Sequence, residues 1–165
     1  MQAATVTPAA ALLADAVTLC TEIPIARPPE AVFAFATNPF RWARWHPATH
    51  AVRGVSDRPL REGETVTEAI RAAGRAFDAT WTVLACEPPR RWVIGTDSAH
   101  GEAWIEYTLQ PDGHGTRFRR VLRFRSHRWP WRALDSTLMR WALNRQSARA
   151  LARLRAVLED SSAQV

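Results

Sequence analysis

Through its middle, this chain alternates apolar and polar residues with a period of two, and toward its end the period becomes helical. Between residues 64 and 126 every second side chain tends to be apolar, as in strands with one buried face. Turn signals at Ala73-Gly74, Glu87–Arg90, Ser98–Gly101 and Pro111–His114 divide this stretch into an antiparallel meander. The spacing predicts Val66, Glu68 and Ile70 opposite Trp81, Ala79 and Phe77, then Val83 opposite Ile94 and Ala85 opposite Trp92. It next pairs Trp92, Ile94 and Thr96 with Tyr107, Ile105 and Ala103. The last hairpin pairs Tyr107, Ile105 and Ala103 with Phe118, Arg120 and Leu122. All four hairpins agree on one apolar face, an agreement that a one-residue slip would destroy. The opposite face carries Thr65, Thr67, Asp78, Thr80, Thr82 and Asp97, with Glu106 expected opposite Arg119 and Glu102 opposite Arg123.

Upstream, Val17–Arg27 reads as a strand that Pro28 and Pro29 stop, and Pro suits the first turn of the helix expected from Glu30. Asn38-Pro39 starts a second short helix that runs through Trp45 and ends at Pro47, and Ala48–Val55 is a modest strand. From Trp131 to Glu159 the stripe Trp131, Leu134, Leu138, Trp141, Ala148, Leu151, Leu154 and Leu158 predicts one long amphipathic helix. Such a helix must cover the sheet's apolar face. The expectation is an α+β domain over 17–159, with a flexible tail at 1–16 and another at 160–165. Its curved antiparallel sheet of about seven strands wraps the C-terminal helix, with two short helices after strand 1.

Several short motifs follow the same order: Pro28-Pro-Glu-Ala-Val-Phe-Ala-Phe-Ala-Thr-Asn-Pro39, Arg44-Trp-His-Pro47, Arg58-Pro-Leu-Arg-Glu-Gly63, Glu87-Pro-Pro-Arg-Arg91, Tyr107-Thr-Leu and Gly115-Thr-Arg117. In this order the chain resembles the START-like (SRPBCC) superfamily, especially its polyketide cyclase/dehydrase-like branch, over roughly Val17 to Leu158. The resemblance implies a helix-grip fold with a cavity for a hydrophobic molecule between sheet and terminal helix. Some members are cyclases, aromatases or dehydratases, and others are carriers or lipid- and quinone-binding proteins. Catalytic residues differ among them, so the resemblance implies a cavity and no particular active site. Asn38 stands where the second helix often starts with Asp, and the terminal helix is unusually rich in Trp and Arg.

Composition adds little that is specific. The net charge is +6, but all 22 basic residues are Arg, spread along the chain without a compact block, so no nucleic-acid partner is expected. Cys20 and Cys86 fit no disulfide or metal-site spacing and read as reduced core thiols. The Ala-rich start lacks the basic residues of a signal peptide, and no apolar run reaches the ~18 residues of a membrane span, so a cytoplasmic protein is expected.

Eight Trp residues offer both core and ligand wall. Arg120 is the anomaly of the apolar face: either an anchor for a ligand oxygen, or one half of a structural ion pair. Glu68 shares that face, as a proton-transfer group with a raised pKa or as the partner of Arg120 or Arg145. Trp45, Trp81, Trp92, Thr96, Tyr107, Trp141 and Arg145 complete the ligand-binding candidates. His46, at the end of the second helix, is either a group titrating near neutrality or a surface histidine. Pro47 breaks the helix that would align His46 with His50, so no metal is expected, and no cofactor fingerprint is present. Trp129 and Trp131 suggest weak peripheral membrane contact. The functional expectation is a binding protein or carrier for a small hydrophobic ligand, as monomer or homodimer. The alternative is a cofactor-independent cyclase or dehydratase using Arg120 with Glu68 or His46.

Overall fold

Prolines and apolar spacing decide where the first elements begin. In the computed structural model, which describes residues 16–72, 75–98, 101–126 and 138–160, strand β1 (Val17–Ile25) gives way at Pro28 to helix α1 (Pro29–Ala36). Pro29 sits in the first turn, where its missing N–H is no loss. Asn38 then caps a 3₁₀ turn (Pro39–Arg41) by accepting from the Phe40 N–H, and α2 (Trp42–Trp45) follows directly. Asn38 also donates to Asp57 at 2.7 Å, and Arg41 grips the same carboxylate at 2.5 and 2.9 Å. An amide can accept from the cap and donate to Asp57 at once; an aspartate there would meet Asp57 as a like charge.

The remaining strands are β2 (Thr49–Arg53), β3 (Thr65–Ala72), β4 (Arg75–Glu87), β5 (Arg91–Ser98), β6 (Gly101–Asp112) and β7 (Gly115–Ser126). Helix α3 (Leu138–Asp160) comes last. The seven strands form one antiparallel sheet in the order β1-β7-β6-β5-β4-β3-β2. Val66, Ala79, Trp81, Val83, Trp92, Ile94, Ile105, Tyr107, Leu109 and Phe118 are buried in one core with Leu151, Leu154 and Leu158 of α3. This is the α+β helix-grip arrangement. Ala73-Gly74, residues 99–100, Trp129, Trp131, Leu134 and both expected tails lie outside the described residues, apart from Ala16 and Asp160 at the tails' inner ends.

The register follows expectation in two hairpins and departs in two. β3 with β4, and β5 with β6, pair as the alternation predicts. Between β4 and β5 a bulge intervenes: Val83 still faces Ile94, but Ala85 then pairs with Val93 and Cys86 with Trp92. The extra residue leaves Leu84 42% exposed. At the β6–β7 hairpin the turn is shorter than predicted. Gly113, with φ +59°, and His114 suffice, so strand pairing runs out to Asp112 and Gly115. Every pair is therefore displaced by two residues: Tyr107 faces Arg120, Ile105 faces Leu122, and Ala103 faces Phe124. A slip of two preserves the faces but changes the outer pairs, so Glu102 meets Arg125, and Arg119 lies opposite Thr108.

Two further expectations fail. Cys20 is exposed on the outer face, where it accepts from Arg119 Nε at 3.2 Å, rather than being a core thiol. On α3 the inward positions are Leu143, Ser147, Ala150, Leu151, Leu154 and Leu158, whereas Trp141 is 58% exposed and Arg145 and Ala148 are exposed. Residues two apart lie about 200° apart around a helix, so Trp141 and Leu143 cannot both face the sheet. The three leucines fix which of them does.

One close approach holds β7 against β1. Thr116 Oγ1 donates to the Arg27 carbonyl at 2.6 Å, and a Cβ on Gly115 would collide with the Ile25 carbonyl oxygen. Because the obstacle is backbone, Gly115→Ala is expected to lower unfolding free energy by about 2 kcal/mol, measured by urea denaturation.

Candidate functional site

Helix α3 closes the curled sheet tightly at its C-terminal end and loosely toward its start. Leucines 151, 154 and 158 are buried, but the preceding turns offer Ser147, Gln146 and Leu143 instead. A cavity of about 240 Å³ remains between these residues, α2 and the inner face of β3 to β7. Its walls are mostly apolar: Trp45, Trp81, Ile70, Phe77, Ala79, Ile94, Ala103, Ile105, Leu122 and Phe124. Behind them an aromatic stack fills the adjoining core. Tyr107 lies 5.5 Å from Trp92 in near-parallel stacking and 5.1 Å from Phe118, and Trp92 meets Trp42 edge-on at 6.2 Å.

A chain of polar groups crosses one wall. A bulge in β2, between Thr49 and Ala51, buries Thr49 and leaves His50 outside. Thr49 donates to Glu68 Oε1, Trp81 Nε1 donates to Oε2 at 2.8 Å, and His46 Nδ1 stands 3.1 Å from the Thr49 hydroxyl. With its hydroxyl proton on Glu68, Thr49 receives the Nδ1 proton of His46. Burial pushes the Glu68 carboxyl above its ordinary range, against the opposing pull of these bonds and of Arg120. His46 is driven down to about 3, first by burial and then by the positive charge of Arg120. It is therefore a neutral ring at physiological pH, part-buried beside Thr49, which speaks against the first of its two readings, a group titrating near neutrality.

Arg120 occupies the facing wall and is only 4% exposed. Its Nη1 donates to Ser147 Oγ of α3 at 2.8 Å, and its positive charge acts on the buried Tyr107 hydroxyl, opposing the rise that burial gives it. Among the described residues no carboxylate forms an ion pair with it, and its Nε has no partner. Glu68 is committed to Thr49 and Trp81, so it does not neutralise Arg120 as a contact pair, nor Arg145, which is exposed and stacks on Trp141 at 5.3 Å. Two other cavity-lining groups are equally unpartnered: Trp45 Nε1 and Thr96 Oγ1.

Of the sequence candidates, Trp45, His46, Glu68, Trp81, Thr96, Tyr107 and Arg120 line the cavity. Trp92 is wholly buried behind Tyr107, and Trp141 and Arg145 face away. Sequence reasoning missed Trp42, Thr49, Phe77, Gln146 and Ser147 as lining residues. Stepping back from Leu158, Leu154 and Leu151 at helical spacing would have reached Ser147 and Leu143. No comparable signal marks Thr49, because its orientation comes from a bulge. Among the described residues no group of three or more His, Cys, Asp or Glu side chains is placed to hold a metal ion. No described helix is long and apolar enough to cross a membrane.

The depressed His46 pKa has a definite sign. Its contribution to stability is complete above about pH 6.5 and is lost as pH falls toward about 3, since unfolding then takes up a proton. Glu68, shifted upward, acts oppositely: its contribution is complete at low pH and lost as pH rises through its raised value. Asp57 and Glu64 are shifted downward and titrate below this window. Urea denaturation of the parent and of His46→Gln between pH 6.5 and 5 should show a steeper acid-side loss in the parent. The difference is limited to about 1.4 kcal/mol per pH unit for one proton.

The sequence profile of the family described as polyketide cyclase/dehydrase and lipid transport matches residues 16–159. Solved structures repeat the fold at low identity. A protein from Thermus thermophilus is 17% identical with a TM-score of 0.75, over 88% of this chain and 99% of its own. A START superfamily protein from Mycobacterium smegmatis is 11% identical with a TM-score of 0.72, over 87% of this chain and 97% of its own. A protein from Mesorhizobium loti is 20% identical with a TM-score of 0.66, over 87% and 98% respectively. No curated protein matches the chain. With the profile spanning nearly the whole sheet and terminal helix, the chain belongs to the polyketide cyclase/dehydrase and lipid transport family.

Proposed function

We propose that this protein is a binding protein or carrier for a small, flat, hydrophobic molecule that bears oxygen acceptors, of aromatic or polyketide-like character. One observation carries the reading. Trp45 Nε1, Thr96 Oγ1 and Arg120 Nε, all able to donate, are buried on cavity-lining residues without a partner in the protein. Each such group costs about 1–3 kcal/mol if left unsatisfied. With a small turn of these side chains toward the cavity, a ligand with carbonyl, phenolate or carboxylate oxygens would satisfy them, while its rings lie against Trp81, Phe77 and Ile105. A volume of about 240 Å³ has room for a ligand of two or three fused rings.

Arg120 would orient the ligand, because a guanidinium without a carboxylate partner favours an anionic oxygen. A second reading, cyclase- or dehydratase-type chemistry in the same cavity, draws support from Glu68. A carboxyl raised by burial and facing the same space as Arg120 has the character of a general acid. Mass analysis of incubated polyketide-like carbonyl compounds with parent and Glu68→Gln protein tests this reading: turnover by the parent that Glu68→Gln loses supports it, and no product with either excludes it.

For the binding reading, titration with a fused-ring aromatic carboxylate and with its methyl ester, read by Trp fluorescence, should show saturable binding of both and tighter binding of the acid. Arg120→Met should weaken the acid by about 10- to 100-fold, the scale of a lost charge-assisted hydrogen bond, and the ester much less. Equal losses for both, with unchanged unfolding free energy, would remove Arg120 as the anchor. No saturable binding of either, and no retained small molecule in native mass spectra of the protein purified from its own host, would reject the carrier reading.

A further inference from the structure

Outside the outward face of α3, the arginines of the described surface are either partnered or, like Arg61, Arg71 and Arg90, unpaired among the described residues, at separate places rather than in one row. Arg41, Arg53, Arg58, Arg91, Arg117, Arg125 and Arg155 each meet a carboxylate, and Arg123 lies over the Trp104 ring. The outward face of α3 differs. Trp141, Arg145, Arg149 and Arg153 follow one another at four-residue steps, all exposed. Arg145 stacks on Trp141, and Arg149 and Arg153 have no ion pair or hydrogen bond among the described residues. Exposed Ala142, Ala148, Ala152 and Ala156 fill the space between, and the first acidic residues of the helix are Glu159 and Asp160 at its far end. Like charges at four-residue spacing oppose helix formation, so this arrangement is a cost to the isolated protein.

We propose that this face docks the protein on an anionic lipid bilayer, with the entrance of the cavity close to the membrane surface. The stripe winds about 120° around the helix over about 18 Å, twelve residues at 1.5 Å each, and its small side chains let the helix approach a plane closely. Its charge complements an acidic leaflet, and a half-exposed Trp beside Arg belongs at a headgroup boundary. The same two turns of α3 that carry Trp141 and Arg145 outward carry Leu143 and Gln146 into the cavity. A hydrophobic cargo would thus be exchanged near the bilayer in which it dissolves. A second copy of the chain fits poorly, because two such stripes would repel one another. This surface does not depend on what the cavity holds, and its test is separate from the ligand test.

Co-sedimentation of the full chain with phosphatidylcholine vesicles, with and without about 30% phosphatidylserine, tests the proposal at low ionic strength. Binding is expected only with phosphatidylserine and should fall as salt rises. Each of Arg145→Gln, Arg149→Gln and Arg153→Gln should weaken it roughly fivefold, and the triple variant about a hundredfold. Trp141→Ala should weaken it further, while circular dichroism and binding of the aromatic carboxylate stay as in the parent. Absence of binding to phosphatidylserine vesicles, equal binding by parent and triple variant, or tighter binding to a DNA duplex than to vesicles would each overturn the proposal.

Discussion

Taking a guanidinium out of water costs several kcal/mol unless its N–H groups find acceptors, and the space under the terminal helix is arranged around that demand at Arg120. Ser147 supplies an acceptor from α3. That bond ties the part of the helix before Leu151 to the sheet. Beside the guanidinium, Tyr107 stacks on Trp92 and touches Phe118. The charge also acts at a distance: it helps to keep His46 neutral and opposes the rise of Glu68. Cavity, helix tether and electrostatics therefore share one residue. What they leave unmet is Arg120 Nε, the group on which the proposed preference for oxygen-bearing ligands rests.

Two backbone irregularities shape the rest of the site. The β2 bulge turns Thr49 inward, completing the run from His46 to Glu68, and the β4 bulge re-aims the strand so that Cys86 pairs with Trp92. Both lie in strands whose inner neighbours are large aromatics, so a local gain of one residue is absorbed without opening the core. In this chain the frame is thus set by the apolar face, and the inner polar groups by details of strand geometry.

Fold and inner face were legible in the sequence because alternation is a strong signal and four hairpins had to agree on it. The same signal is blind to a slip of two, and at the last hairpin Gly113 and His114, rather than the longer Pro111–His114 turn, set the pairing. Glu68 and Arg120 stood out as charges at apolar positions, so their place on the inner face was readable. Thr49 and Ser147 were not, since small hydroxyl residues are common in strands and helices and only the surrounding geometry gives them a role. For His46 the sequence left two readings open, because proline after a helix says nothing about what covers the ring. Trp141 misled through its chemistry: a large apolar residue drew the predicted stripe toward itself, although Leu143 and Ser147 keep the phase that Leu151 and Leu154 define.

The tight turn between β6 and β7 has a bearing on how such a protein can diverge. Side-chain direction along a ribbon repeats every two residues, so two residues added or removed at this tip shift the pairing while every inward group stays inward. A single added residue that shifted the whole pairing would instead exchange the faces of β7 and turn Arg119 inward in place of Arg120. Changing this hairpin's length in even steps therefore leaves Arg120 facing the cavity, whereas an odd step would not.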